Sequence, residues 1–199
     1  ADLNNDGVIN NLDRVKVGNL FPTVTGGFST TLGYKDFSLY ARFDYALGHT
    51  LYNDLAARSL GQYQGSFNII DMVKDSWSET NQNTDIPKFY YADQLSKKNI
   101  TRSNNGLTAV DNNSSRFYEK GDYLALREIT LTWNLPKKWI NKALMSNASV
   151  YVTGQNLFYI TGYTGVSPEP AVDTTYGQGL DNGRYPTPKT VLLGLSVTF

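Results

Sequence analysis

Apolar and polar residues alternate along much of the chain with a period of two. Between Phe37 and Ala46, one face carries Phe37, Leu39, Ala41, Phe43 and Tyr45, and the other carries Ser38, Tyr40, Arg42 and Asp44. From Glu128 to Leu135 the apolar set is Ile129, Leu131, Trp133 and Leu135. From Val191 to Phe199 it is Val191, Leu193, Leu195, Val197 and Phe199. Weaker alternation marks Val24 to Gly33 and Ala148 to Phe158. Successive side chains of a strand point to opposite faces, so strands are predicted near 24–33, 36–46, 122–135, 148–158 and 190–199.

The length of these segments narrows their setting. Soluble strands average about 5–6 residues, whereas strands that cross an outer membrane need about 9–11. In a membrane barrel the apolar face meets lipid and the polar face lines the lumen. The connections are uneven too: 33–36 and 135–147 are short, while 47–121 and 159–189 are long and show no evident strands. Short turns at one end and long loops at the other are the habit of such barrels. Within the first long loop, Phe67, Ile69, Ile70, Val73, Lys74 and Trp77 are spaced for a short amphipathic helix. Five strands cannot close a barrel, about eight being the small end, so the chain reads as a fragment completed by other strands.

Charge and composition remove several functions. Lys plus Arg and Asp plus Glu stand at 18 each, so nothing draws the chain to nucleic acid. Cys is absent, which excludes disulfides, thiolate metal sites and thiol nucleophiles. The single His, His49, excludes mechanisms that need two imidazoles; beside Gly48 at a strand mouth it reads as an exposed or lumenal residue. No nucleophile elbow, zinc helix, phosphate loop or dinucleotide loop occurs, and no carboxylate pair stands out, so no enzyme is expected.

The most specific motif opens the chain. Asp2, Asn4, Asp6, Val8, Asn10 and Asp13, with Gly7 between them, match the calcium-loop pattern at every place but the last, where Asp replaces Glu. A hard cation takes six to eight oxygens, and carboxylates at alternate loop positions converge on one centre. A structural calcium ion is the expected cofactor; a turn-rich loop whose Asx side chains bond the backbone is the alternative. Arg127 with Glu128, and Arg42 with Asp44, suit either lumenal hydrogen bonding to a solute or plug, or salt bridges across neighbouring strands. Tyr159, Tyr163, Tyr176 and Tyr185 could stack on a solute or pack loops.

Taken in order, DLNNDGVINNLDRVKVGNLFP, YKDFSLYARFDYALG, SSRFYEKGDYLALREITLTWNLP, VYVTGQNLFYITGYTGVSPE and YPTPKTVLLGLSVTF resemble the C-terminal part of SusC/RagA-type TonB-dependent outer-membrane transporters of Bacteroidetes. The resemblance implies an all-β fold: about five C-terminal antiparallel strands of a transmembrane barrel of about 22, with long extracellular loops. The plug domain and the other strands lie outside 1–199. It further implies uptake of oligosaccharides or peptides, a SusD-like lipoprotein lid, energy through TonB, and contact with the lipid bilayer. Phe199 resembles the terminal aromatic read by the barrel assembly machinery, which would put the short turns, KKWINK among them, at the periplasmic side. The alternative is a soluble, calcium-stabilised β-sandwich that binds carbohydrate, in which Phe37, Leu39, Phe43, Ile129, Leu131, Trp133 and Leu195 must form a core. A hydrolase would need an acid pair about 5–9.5 Å apart.

Overall fold

The computed structural model describes residues 3–7, 11–57, 59, 70–86, 88–89, 115–141, 144–169, 179–183 and 185–199. Its strands are β1 (Val24–Tyr34), β2 (Phe37–Leu47), β3 (Thr50–Asn53), β4 (Tyr118–Lys120), β5 (Tyr123–Asn134), β6 (Asn147–Thr161), β7 (Leu180–Asp181) and β8 (Thr190–Thr198). The five long ones, 9 to 15 residues each, form one antiparallel sheet in the order β1-β2-β5-β6-β8. All are long enough to cross a bilayer. A two-residue turn joins β1 to β2, with Lys35 at φ 52, in the left-handed backbone region that tight hairpin turns use.

Register sorts the side chains. Phe28 lies opposite Phe43, Phe37 opposite Trp133, Leu131 opposite Val152, and Val152 opposite Leu193, so one face is apolar across all five strands. Much of it is solvent-exposed: Phe28, Leu32, Phe37, Leu131, Phe158, Ile160, Leu193 and Leu195 all are. Of the core that the sandwich alternative requires, Phe37, Leu131 and Leu195 are exposed and Leu39, Phe43, Ile129 and Trp133 only half-buried, and none is among the buried residues. Toward the short-turn end, Phe37 stacks on Trp133 and Trp139 meets Trp133 edge-on. Aromatic clusters of this kind mark the rim of a membrane-facing band. Trp139 sits on a single helical turn, α2 (Lys137–Ile140).

The opposite face carries Thr25, Ser29, Arg42, Asp44, Glu128, Thr130, Tyr151, Thr153 and Tyr159. Thr130 and Thr153 share a 2.8 Å hydrogen bond across the strand pair. The Tyr151 ring lies over Gly194, its register partner, where any side chain would collide with it.

One irregularity shifts the alternation. Leu124 and Leu126 share the apolar face with Ile129 and Leu131, a step of three where two is the rule. Arg127 is the extra residue against β2, and against β6 it faces the pair Asn156–Leu157. Asn156 takes φ 51 there, which an Asn tolerates better than most residues. Leu157 folds back over Gly154, 2.8 Å from where a Cβ would stand. VTGQNLF is therefore a bulge sequence, and a bulge re-aims side chains and kinks the strand.

The long connections are not free of strands, contrary to expectation. Past Gly48 and Gly121 the β2/β5 hairpin continues as β3 and β4, and β7 adds in parallel to β3. These strands are too short to leave a periodic signal, and their pairing is long-range in sequence. Beside this three-stranded sheet lies an apolar cluster: Tyr52 of β3 packs with Ala57, Ile86 and Phe117, with Ile70 and Val73 against them. Of the predicted loop helix, the described part is a 3-10 turn, Asp71–Asp75; Phe67 and Ile69 lie outside the described residues.

Candidate functional site

The bulge turns Arg127 onto the polar face, where a charged knot forms. Its Nε donates to Asp44 Oδ2 at 2.8 Å, its Nη1 to the Tyr159 hydroxyl at 3.2 Å, and its Nη2 lies 2.5 Å from Glu169 Oε1. Tyr159 in turn donates to Glu169 Oε1 at 2.8 Å. The guanidinium also lies 5.7 Å from the Tyr159 ring centre, and Tyr123 meets that ring edge-on. Three elements thus converge on one cation: β2 through Asp44, β6 through Tyr159, and the segment after β6 through Glu169. Cross-strand salt bridging is realised between Arg127 and Asp44, whereas Arg42 stands opposite Glu128. One guanidinium between two carboxylates leaves the knot a net negative charge.

His49 is neither exposed nor lumenal; it is 1% exposed, at the kink between β2 and β3. Its ring lies over Gly121, edge-on to Tyr123. Nε2 is 3.0 Å from the Pro168 carbonyl. A carbonyl only accepts, so Nε2 carries the proton. Only the missing Cβ of Gly121 leaves room for the ring. Gly121→Ala should destabilise the chain by about 1–3 kcal/mol, since a buried imidazole has nowhere to move; urea unfolding of the variant measures it.

The neighbouring segment is tied to the small sheet. Glu119 accepts from the Thr164 amide at 2.9 Å and from its hydroxyl at 2.8 Å, and from Asn53 Nδ2 at 3.1 Å. Tyr163 is buried and donates to Asp181 Oδ2 at 2.7 Å. Burial, and then the Asp181 carboxylate, push the Tyr163 phenol well above its ordinary 10. A raised folded-state value means the neutral phenol's stabilisation is complete below about pH 10 and is lost as pH climbs further. The segment around Tyr163 should therefore loosen above pH 10, and Tyr163→Phe should weaken that dependence when amide exchange in 162–169 is followed.

The remaining candidates fall in different places. Tyr185 and Phe199 are exposed, and Tyr176 lies outside the described residues. In the opening loop, Asp13 Oδ1 accepts from the Leu3 amide at 2.6 Å, Asn4 donates to Asp6 at 2.8 Å, and Gly7 takes φ 82. The loop's two ends thus meet through its closing acid. Asp2, Val8 and Asn10 lie outside the described residues, and among the described residues no three His, Asp or Glu gather as a metal site. Glu169 carried no signal in sequence, because its partner is 42 residues away only through the fold.

No protein-family model matches the chain. Relatives do. TonB-dependent receptor P3 of Formosa agariphila is 32% identical over the whole chain, which covers 18% of that protein. TonB-dependent receptor P26 of the same organism is 33% identical, again over the whole chain and 19% of the relative. The chain thus spans about a fifth of the length of the curated relatives it matches. Among solved structures, the RagAB peptide importer in its open-open state aligns with a TM-score of 0.62 at 26% identity, over 89% of this chain and 17% of that one. Its closed-closed state gives 0.66 at 26%, over 90% and 18%. By sequence along its whole length and by fold, the chain belongs to the TonB-dependent receptors, as a segment of their β-barrel.

Proposed function

We propose that this segment forms part of the wall and outer loops of an outer-membrane importer that takes up peptides or oligosaccharides. It would act with a SusD-like lipoprotein lid, a plug filling the lumen, and TonB as the source of energy. The observation that carries the reading is the two-faced sheet: an exposed apolar surface of membrane-spanning height backed by a polar wall. An isolated sheet in lipid leaves its edge strands unpaired, at several kcal/mol per buried backbone group, so β1 and β8 need neighbouring strands of the same barrel. The peptide importer among the structural neighbours favours peptides over sugars. In this orientation the small sheet and the charged knot lie at the extracellular mouth, and Phe199 at the periplasmic rim. Solubilising the outer membrane in detergent and purifying the receptor tests this. The reading expects plug, barrel and lipoprotein to travel together and to bind labelled oligopeptides; a 22.2 kDa species monodisperse in plain buffer contradicts it.

We also infer a structural calcium ion in the opening loop. The spacing of its oxygen-bearing residues supports the reading and Gly7 makes the turn; Asn4 Oδ1 accepts from the Asp6 amide and Asp13 Oδ1 from the Leu3 amide, bonds that ligation would exchange for the ion. Asp2, Asn4, Asp6, Asn10 and Asp13 would supply side-chain oxygens and Val8 its carbonyl. Calcium should slow trypsin cleavage at exposed Arg14 and Lys16 relative to EDTA, and Asp6→Asn with Asp13→Asn should erase the difference.

A further inference from the structure

Residues 162–169 leave β6 and bridge the two sheets. The first half is tied to the small sheet by several bonds: Thr164 to Glu119, and Tyr163 and the Val166 amide to Asp181. The second half meets the barrel wall at two points, the Pro168 carbonyl on His49 and the Glu169 carboxylate on Arg127 and Tyr159. We propose that this segment is a strap across the lumen mouth, anchored at Thr164 and latched at Glu169, and that unlatching uncovers the inner wall at Arg127.

The chemistry of the knot makes two states accessible. In the latched state two carboxylates share one guanidinium. When Glu169 leaves, Arg127 keeps its 2.8 Å bond to Asp44, so no bare charge stays buried. Removing one partner from an isolated buried ion pair strands the other charge at high cost; here the third member prevents that. Glu169 itself, 30% exposed when latched, returns to water. The strap's far anchor does not depend on the latch, because Glu119 and Asp181 sit on the other sheet. Opening therefore costs a few charge-assisted bonds and leaves both sheets intact. A two-state element needs such a modest gap.

The proposal rests on the barrel reading, and its test separates the two. The full-length receptor in outer-membrane vesicles carries P168C as a reporter. Pro168 is buried within the latched strap, and His49 uses its backbone carbonyl, which the substitution keeps. Maleimide labelling should be slow in P168C and rise on the order of tenfold in P168C/E169Q, as expected for losing charge-assisted bonds. P168C/E169D should fall between them. Gel mobility before and after heating reports the barrel separately. Should E169Q not assemble, the milder E169D carries the comparison. Equal labelling rates in the assembled variants overturn the latch, as does fast labelling in P168C alone.

Discussion

Arg at position 193 should cost the assembled barrel about 2–4 kcal/mol, whereas Arg at position 192 should cost close to nothing. The cost is that of a charge on the lipid face near mid-membrane. The two positions hold the same residue, adjoin in β8, and differ only in direction. Leu193 pairs with Val152 on the apolar face and is 81% exposed; Leu192 pairs with Thr153 on the polar face and is 48% exposed. A long cation at 192 extends over the lumenal wall into water, while at 193 it enters hydrocarbon. Urea unfolding of the two full-length variants in lipid vesicles measures both. Equal costs, or a larger cost at 192, would show that the apolar face meets protein instead.

Arg127→Met should be the most damaging single change on the polar face, at about 3 kcal/mol. The arginine is 16% exposed. Its loss leaves Asp44 and Glu169, 43% and 30% exposed, without the cation; that partial exposure holds the cost at the lower end of the about 3–5 kcal/mol for breaking a buried pair from one side. Met fills the space, so packing contributes little. Amide hydrogen exchange should quicken in 159–169, which the knot holds, and stay slow in β1 and β8. Adding Asp44→Asn removes one of the stranded charges and should recover about half of the loss, a coupling expected between residues in direct contact. An R127M receptor with the exchange pattern of the parent would show that the knot holds nothing.

How much of this was legible follows from how each feature is encoded. Strands β2 and β8 announce themselves because each face keeps one character over nine or more residues, and β5 does so from Glu128 onward, past its bulge. On the proposed barrel reading, lipid covers Leu193 and Leu195, which are exposed although apolar. The bulge was written in the chain as a slip of phase between Leu126 and Ile129, and as the Asn156-centred VTGQNLF. The small sheet was not, since four residues of β3 and two of β7 are below any period. Tyr159 and Tyr163 stood out as aromatics in a polar stretch, but only the fold shows that their hydroxyls serve Glu169 and Asp181. A lone His beside a Gly looks like a turn residue, whereas the burial of His49 depends on Gly121, 72 positions away.

The most direct test of the central claim, that one face of this sheet meets lipid and the other a lumen, is a spin-label scan of residues 190–198 in the full-length receptor in membranes. Collision rates with oxygen and with a water-soluble nickel chelate are read at each site. The account predicts strict alternation: oxygen-accessible labels at 191, 193, 195 and 197, and chelate-accessible labels at 190, 192, 194, 196 and 198. Odd positions shielded from both reagents would place that face in a protein core and contradict it.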